Sequence, residues 1–286
     1  MTSRDKLVML AEKLRKADAV VIGGGSGLSS AAGYDHYHWS PALAEALAPF
    51  REYYGFNSPL AGFYHCYSSY GAQWGYYSQY IRFVWEAPTG QPYKDLAAIV
   101  ADKPTFVLTT NVDQQFSRVF AKEQICTFQG DFSYCQCSQP CQDVIWKNDA
   151  LVQVLTEQLT GVCLPEEAVP RCRKCGRVIV PWVRDDTFLE GRVWKEQVLR
   201  YQAFLRHWLM EEHDKKLVLL ELGVGEMTPS IIKLPFWQLC AKNEGVFYAC
   251  LNKNQTAAPL HLGRRALTVT DDLADALAAL REIMEK

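Results

Sequence analysis

The chain has 286 residues, of which 49% are hydrophobic and 22% charged, so it can form one large domain or two smaller ones with a packed core. The charges of its 30 basic and 32 acidic side chains nearly cancel, and the sequence contains no dense run of Lys and Arg. Both observations argue against a nucleic-acid partner. No apolar run approaches the roughly 18 residues that a membrane span requires. Ten cysteines predict reduced thiols and metal ligands in a cytoplasmic protein.

The first predicted strand leads into a glycine turn. After an amphipathic N-terminal helix, the β-branched residues 20–22 run into Gly23, Gly24 and Gly25, and residues that can open a helix follow. Without Cβ atoms, such a turn lets backbone N–H groups approach a pyrophosphate, whose charge the helix N-terminus favours. A plain turn is the alternative, because the full dinucleotide fingerprint is missing and no acidic residue follows about 20 positions later.

An aromatic segment follows the glycine turn. Residues 33–39 predict a loop, and residues 40–50 predict a short helix that begins with Ser40 as cap and Pro41 at the first position. Residues 53–85 are rich in Tyr, Phe and Trp. They predict a small helical module whose aromatic stripe packs on the main sheet, or the wall of a ligand pocket, and both can hold.

Polar residues end the next two predicted strands. Residues 105–108 form a buried strand that runs into Thr109, Thr110, Asn111 and Asp113, and a helix is predicted over residues 114–122. A third strand, residues 125–128, ends at Gln129, Gly130 and Asp131. In parallel sheets ligands bind at the carboxyl edge, so Asn111 and Asp113 are candidate site residues. A turn-forming role for Asn111 and a helix-capping role for Asp113 are the alternatives.

Six of the cysteines lie between residues 135 and 175, in a segment of changed composition. Cys137 and Cys141 form one close pair, and Cys172 and Cys175 form a second, which is followed by a glycine. Four thiolates arranged in this way predict a closed, structural Zn²⁺ site. Cys135 is an alternative ligand in the first pair, and six unpaired cysteines in a loop-rich segment are the alternative to a metal site.

The remaining chain returns to strands that alternate with helices. A long helix is predicted over residues 193–213, strands over 216–221, 245–250 and 266–269, and a last helix over 271–284. The pattern predicts an α/β fold with a parallel sheet covered by helices on both faces. We assign residues 1–133 and 214–286 to this domain, with an aromatic-rich helical insertion at about 52–92. Residues 134–192 form a small zinc module, and 193–213 connect the two.

The ordered motifs resemble those of the sirtuin family over nearly the whole chain. They are the glycine run with Ser29, TTNVD at 109–113, QGD at 129–131, the four cysteines, GVG at 223–225 and LNKN at 251–254. The resemblance implies a Rossmann-like domain and a small zinc domain that bind NAD⁺ between them and break the nicotinamide–ribose bond. It implies three catalytic residues, Asn111, Asp113 and Gln129. It implies NAD contacts from a larger set: Gly23, Gly24, Gly25, Ser29, Thr110, Gly223, Gly225, Asn252 and Asp272.

Two departures from the deacylating sirtuins are informative. Residues 33–36 replace a Pro-Asp-Phe-Arg element, and Gln129 stands where those enzymes carry a catalytic histidine. An amide cannot remove a proton from a ribose hydroxyl, a step that deacylation needs and transfer of ADP-ribose does not. The chain is therefore similar to the microbial class M sirtuins, which are protein ADP-ribosyltransferases. That class implies an acceptor of the lipoyl-carrier, glycine-cleavage type and a macrodomain hydrolase as functional partner.

Other functions are compatible with the same motifs. Water or an acyl-lysine in place of the protein acceptor would give an NAD hydrolase or a deacylase, and loss of the histidine is also compatible with a non-catalytic NAD or ADP-ribose sensor. His36 and His38 are candidates for the missing base, with a solvated loop as the alternative. Arg184 and the two acidic residues after it are candidates for acceptor contacts, with an ordinary salt-bridged loop as the alternative.

Overall fold

The computed structural model describes residues 1–212, 214–254 and 256–286. Within them, no helix is both long and apolar enough to cross a bilayer. The strands are β1 (Ala19–Gly24), β2 (Thr105–Thr109), β3 (Ile125–Thr127), β4 (Gly130–Cys137), β5 (Trp146–Lys147), β6 (Ile179–Val183), β7 (Leu217–Leu222), β8 (Val246–Leu251) and β9 (Ala266–Val269). The helices are α1 (Ser3–Arg15), α2 (Ser26–Ala31), α3 (Pro41–Ala46), α4 (Ala48–Tyr54), α5 (Pro59–Phe63), α6 (Tyr70–Glu86), α7 (Gln91–Ile99), α8 (Asp149–Glu157), α9 (Arg192–Arg206), α10 (Lys233–Lys242) and α11 (Leu273–Met284).

Six strands form the predicted parallel sheet, in the order β3-β2-β1-β7-β8-β9. The order reverses at β1, which pairs with β2 on one side and with β7 on the other. Loops that leave the carboxyl ends of these three strands therefore diverge and leave a crevice between them. Such a switch point is where open α/β sheets bind ligands.

Helices cover both faces of this sheet, as the sequence predicts. On one face α1, α7 and α11 pack on side chains such as Val20 and Ile22 of β1. On the other face α9 and α10 pack on Ala19 and Val21. Because successive strand residues point to opposite faces, the continuous apolar run of β1 is buried on both sides.

A second, antiparallel sheet has the order β5-β4-β6. The aromatic segment packs here and not on the six-stranded sheet, which corrects that part of the sequence prediction. Trp74, Tyr76 and Tyr80 of α6 share one buried core with Phe132 of β4 and Val178 before β6. Two stretches far apart in the sequence thus form one core, and no local pattern indicates that pairing.

Two predicted helices differ in extent. Residues 114–122 hold only a 3₁₀ turn at Phe116–Arg118, and a second 3₁₀ turn follows at Lys122–Gln124. Helix α9 begins at Arg192, ends at Arg206 and continues as a π-helical turn at His207–Glu211. The last position of the predicted connecting helix, residue 213, lies outside the described residues.

Candidate active site

A cavity of about 660 Å³ opens where the carboxyl edge of the six-stranded sheet meets the aromatic core. This volume is typical of small-molecule sites. The loops after β1, β2, β3 and β7 contribute its polar wall, and α5, α6, β4 and β6 contribute its apolar wall. Six of the residues predicted from the sequence line it: Ser29, Thr110, Asn111, Asp113, Gln129 and Gly225.

The first glycine turn packs tightly against the turn after β7. The Gly25 amide donates to the Leu222 carbonyl at 2.9 Å, and the Gly27 amide donates to the Gly223 carbonyl at 2.9 Å. A Cβ on Gly25 would lie 2.6 Å from the Gly223 carbonyl oxygen, and Gly223 itself has a φ of +61°. The glycines are therefore required for the close approach of these two turns, which frames the cavity.

At Gly23 and Gly24, inside β1, the neighbouring side chains also leave no room for a Cβ atom. A Cβ on Gly23 would lie 2.4 Å from the Ile232 side chain, and one on Gly24 would lie 2.3 Å from the Phe116 ring. Neither residue, nor Gly25, is among the described residues that line the cavity. Their geometry thus supports packing of the strand, and a contact with NAD remains a prediction.

Asn111 joins the ends of β1 and β2. Its amide nitrogen donates to the Gly25 carbonyl at 3.0 Å, to Ser29 Oγ at 3.1 Å and to the Tyr93 hydroxyl at 3.3 Å. Ser29 in turn donates to the Asp113 carboxylate. A buried hydrogen-bonded network therefore orients two of the three predicted catalytic side chains, those of Asn111 and Asp113, in the cavity.

The Asp113 carboxylate is buried and held in the ionised form. Burial alone would raise its pKa, but His36 beside it, the Ser29 hydroxyl and the Gln115 N–H outweigh burial, and the pKa of Asp113 is lowered. His36 Nε2 lies 3.8 Å from Asp113 Oδ2, which is an ion-pair distance but too long for a hydrogen bond. The bond from the Gln115 amide shows that Asp113 caps the following turn as well as facing the cavity.

Gln129 follows β3 and lines the same cavity as Asn111 and Asp113. Its carbonyl oxygen accepts the Arg184 amide at 2.9 Å. The Arg184 guanidinium donates to the Phe128 carbonyl at 3.1 Å and pairs with Glu190 at 2.7 Å. Arg184 therefore anchors the backbone that presents Gln129. Its ion pair with Glu190 agrees with the alternative interpretation of this segment as a salt-bridged loop.

Aromatic side chains that the sequence did not assign individually form the opposite wall. Phe63 of α5, Tyr80 of α6 and Phe132 of β4 are buried and line the cavity. The sequence signal was the aromatic segment itself, and its second interpretation, as a pocket wall, agrees with this placement. The loop residues Glu226, Met227 and Thr228 also line the cavity. The only sequence signal for this role is their position directly after the second glycine turn.

Three further predicted NAD contacts also lie outside the described cavity lining. Gly223 stands at the turn contact described above. Asn252 donates to the Val224 carbonyl at 3.1 Å and so supports the same turn. Asp272 caps α11 through the Ala274 amide at 2.9 Å and lies 3.5 Å from Lys253.

The four predicted metal ligands come together at the end of the antiparallel sheet. All four sulfur atoms of Cys137, Cys141, Cys172 and Cys175 lie within 4.8 Å of one another. Zn–S bonds of about 2.3 Å place tetrahedral sulfur ligands at this kind of spacing, so the cluster fits a structural zinc ion. Cys135 is buried elsewhere, accepts a bond from Asn148 at 3.4 Å and has a pKa raised by burial to about 12. The thiol geometry thus favours Cys137 over Cys135.

No protein-family model matches the chain, but solved structures share its fold. A Sir2 homologue in complex with NAD aligns with a TM-score of 0.61 at 14% identity, over 97% of this chain and 93% of that one. A Sir2 homologue mutant in complex with ADP-ribose aligns with a TM-score of 0.63 at 14% identity, over 97% and 96%. At such low identity these likenesses show the fold.

A protein of Staphylococcus aureus (strain Mu50) decides the family. It is named a protein ADP-ribosyltransferase and is 31% identical over 279 residues, which cover 94% of this chain and 86% of the relative. The chain belongs to class M of the sirtuin family. This class M sirtuin is also 28% identical over 258 residues to a probable bifunctional ADP-ribose hydrolase/ADP-ribosyltransferase of Fusarium oxysporum f. sp. cubense. That match covers 85% of the sirtuin and 42% of the longer fungal protein.

Within the sirtuin fold, the cavity combines a buried carboxylate, an amide network and an uncharged glutamine. Lys and Arg are absent from the described side chains that line it, and His36 is the basic group among them. A nucleotide pyrophosphate in this cavity would therefore be bound by backbone and hydroxyl donors rather than by cationic side chains.

Proposed function

We propose that the protein is an NAD-dependent protein ADP-ribosyltransferase. The observation that carries this proposal is the position of Gln129, an uncharged residue that lines the same cavity as Asn111 and Asp113 and stands where the deacylating sirtuins carry a catalytic histidine. Class M membership and the name of the S. aureus relative support the same activity. Residues 1–133 and 214–286 would bind the dinucleotide, and residues 134–192 would form the zinc module.

Electrostatics orient the dinucleotide in this proposal. NAD⁺ carries one cation, the pyridinium ring, and an anionic pyrophosphate. The buried Asp113 carboxylate attracts the pyridinium and repels phosphate, so the nicotinamide end lies on Asp113 and the pyrophosphate lies towards Ser26 and Gly225. Asn111 and Gln129 then hydrogen-bond the nicotinamide ribose, while Asn252 and Asp272 lie towards the adenosine end.

The transfer step needs no base at Gln129. The bond between the nicotinamide nitrogen and ribose C1′ breaks, with its electron pair going to nitrogen, and a nucleophile of the acceptor bonds to C1′. Gln129 can orient the ribose hydroxyls by donating and accepting hydrogen bonds. The aromatic wall of Phe63, Tyr80 and Phe132 excludes water, which favours transfer over hydrolysis.

For the acceptor we propose a lipoyl-carrier protein of the glycine-cleavage type, which the class M resemblance implies. A macrodomain hydrolase would reverse the modification, and the fungal relative's name joins a hydrolase and a transferase in one protein. We also propose a cytoplasmic location, because all ten cysteines are unpaired and the four-thiol cluster requires reduced sulfur.

Incubation with NAD⁺ labelled in the ADP-ribose part, with and without lipoylated and unlipoylated carrier protein, tests the proposal. Label on the carrier together with released nicotinamide is the expected result. Free ADP-ribose would indicate a hydrolase, and removal of acyl groups from a lysine peptide would indicate a deacylase. Binding of NAD⁺ without nicotinamide release would replace the enzyme by a sensor.

A further inference from the structure

His36 occupies an unusual place between two buried groups. Its Nδ1 lies 2.5 Å from the Tyr80 hydroxyl, and its Nε2 faces Asp113 Oδ2 at 3.8 Å. The Nε2 atom is buried and has no hydrogen-bond partner. By contrast, His38 in the same loop has a side chain that is 84% exposed, against 13% for His36. A buried polar atom without a partner in the protein is available to pair with a ligand of the cavity.

The surroundings of His36 make it the natural counter-ion of Asp113. Tyr80 of α6 is hydrogen-bonded to His36, and Asp113 in the loop after β2 lies within ion-pair distance of it. The other titratable groups that line the same cavity are Tyr64 at the end of α5, Tyr37 in the loop of His36 and Glu226 after the second glycine turn. Apart from His36, every one of these groups is neutral or anionic near neutral pH. A protonated His36 would therefore balance the buried carboxylate.

The transfer reaction removes the positive charge of the pyridinium ring. Transfer of ADP-ribose converts NAD⁺ and a protonated acceptor into nicotinamide, the modified acceptor and one free proton. One positive charge thus leaves the pyridinium ring and reappears as a proton. A buried carboxylate is most stable with one cation beside it at each stage.

We propose that His36 is a positioning residue that exchanges with the pyridinium cation of NAD⁺ at Asp113. This inference rests on the proposed function. The His36 ring is neutral when NAD⁺ is bound and takes up the released proton once nicotinamide is neutral. Because Nε2–H faces the carboxylate in both forms, the proton is gained and lost at Nδ1. The Tyr80 hydroxyl follows this change, since it can donate to a bare Nδ1 and accept from a protonated one.

The pH dependence of NAD⁺ binding tests the exchange. A protonated His36 competes with the pyridinium, so the apparent KM for NAD⁺ should rise as the pH falls through the range in which imidazole titrates. We expect a severalfold rise in KM between pH 7.5 and pH 5.5, because histidine is the side chain that changes charge in this interval. In His36→Gln this rise should disappear, and kcat at pH 7.5 should fall by about tenfold or more. His38→Gln, the same change in the same loop, should keep the wild-type profile.

An NMR titration of the imidazole resonances gives a readout independent of turnover. Saturating NAD⁺, and separately Asp113→Asn, should each move the His36 midpoint to lower pH, while the His38 midpoint stays in place. Thermal melts confirm that each variant is folded. The inference is overturned if His36→Gln keeps the wild-type pH dependence of KM, or if Asp113→Asn leaves the His36 midpoint unchanged. Absence of nicotinamide release from the wild-type protein would instead refute the proposed function, and the NMR titration would still decide the His36–Asp113 pairing.

Discussion

At the scale of single residues, the polar ends of β2 and β3 were predictable and their partners were not. Asn111, Asp113 and Gln129 stand directly after short buried strands, so the general rule for parallel sheets locates them. Tyr80 and Phe132 reach the same cavity from a helix and a strand that pack together only in the tertiary structure. Local periodicity carries no information about such a long-range pairing.

Replacement of Asn111 by Ala should abolish nicotinamide release and leave the fold intact. The change removes three hydrogen bonds that orient Ser29 and the ribose side of the cavity, and it leaves the Gly25 carbonyl without this donor. The cost in stability should be about 1–3 kcal/mol. Nicotinamide release and thermal unfolding are measured together, with Asn254→Ala, at an exposed position, as control. Unchanged turnover in Asn111→Ala would remove this residue from the mechanism.

Asp131 offers a test of stability against pH. Burial and the nearby Asp113 charge outweigh the hydrogen bonds from Ser133, so the pKa of Asp131 is raised. The folded protein therefore holds this proton more tightly than the unfolded chain, and the stability due to Asp131 is lost as the pH rises above the ordinary value of 3.8. Asp131→Asn should raise the melting temperature at pH 7, by an amount that shrinks as the pH approaches 4. Asp186→Asn, an exposed carboxyl, should have little effect, and equal shifts in the two variants would contradict this explanation.

At the scale of secondary-structure elements, the parallel sheet was predictable because its strands are apolar runs that alternate with amphipathic helices. The helix expected over residues 114–122 failed for a local reason: Gln114 has a φ of +64°, which breaks a right-handed helix at its start. The same residue lies next to Asp113, so the turn that orients the carboxylate replaces the helix. The predicted packing of the aromatic segment on the six-stranded sheet was wrong for a different reason. Its apolar face could have packed on either sheet, and the sequence does not distinguish the two.

The contact between the two glycine turns should tolerate no side chain. Gly223→Ala would place a Cβ 2.5 Å from the Leu28 amide nitrogen in a left-handed backbone conformation. The backbone conformation alone costs about 1–2 kcal/mol, and the overlap adds about 1–3 kcal/mol. Gly161→Ala is the matched control, because its φ is +62° with no neighbouring atom within 4 Å. Chemical denaturation of both variants should show a clearly larger loss for Gly223→Ala, and equal losses would show that the turns do not press on each other.

At the scale of the whole molecule, the metal cluster and one wall of the cavity belong to a continuous packed unit. The cysteine pairs flank β4 and β6, and these strands share their core with α6 and its buried Tyr80. The sequence predicted the zinc module and the aromatic segment separately. Their union into one core depends on contacts between residues about 100 positions apart, such as the bond from Trp74 to the Ile179 carbonyl at 2.7 Å.

Loss of the metal should therefore affect NAD⁺ turnover as well as local structure. Cys137→Ser, or treatment with a chelator, should remove zinc from the protein and raise protease sensitivity at residues 134–192. Nicotinamide release should fall with it, because the aromatic wall loses its support. Cys66→Ser, at an exposed thiol outside the cluster, should retain metal and activity. Retention of a protease-resistant module after complete removal of zinc would contradict a structural role for the metal.

The strand order also has a consequence for the growing polypeptide on the ribosome. Strand β1 is made first, yet it sits between β2 and β7, and β7 ends only at Leu222. Until β7 has been translated, β1 lacks one of its two neighbouring strands. The aromatic segment likewise lacks partners until the later strands with which it shares its core have been translated. Shortened chains that stop before β7 should therefore expose apolar surfaces, and biosynthesis of this protein should depend on chaperones until β7 has been translated.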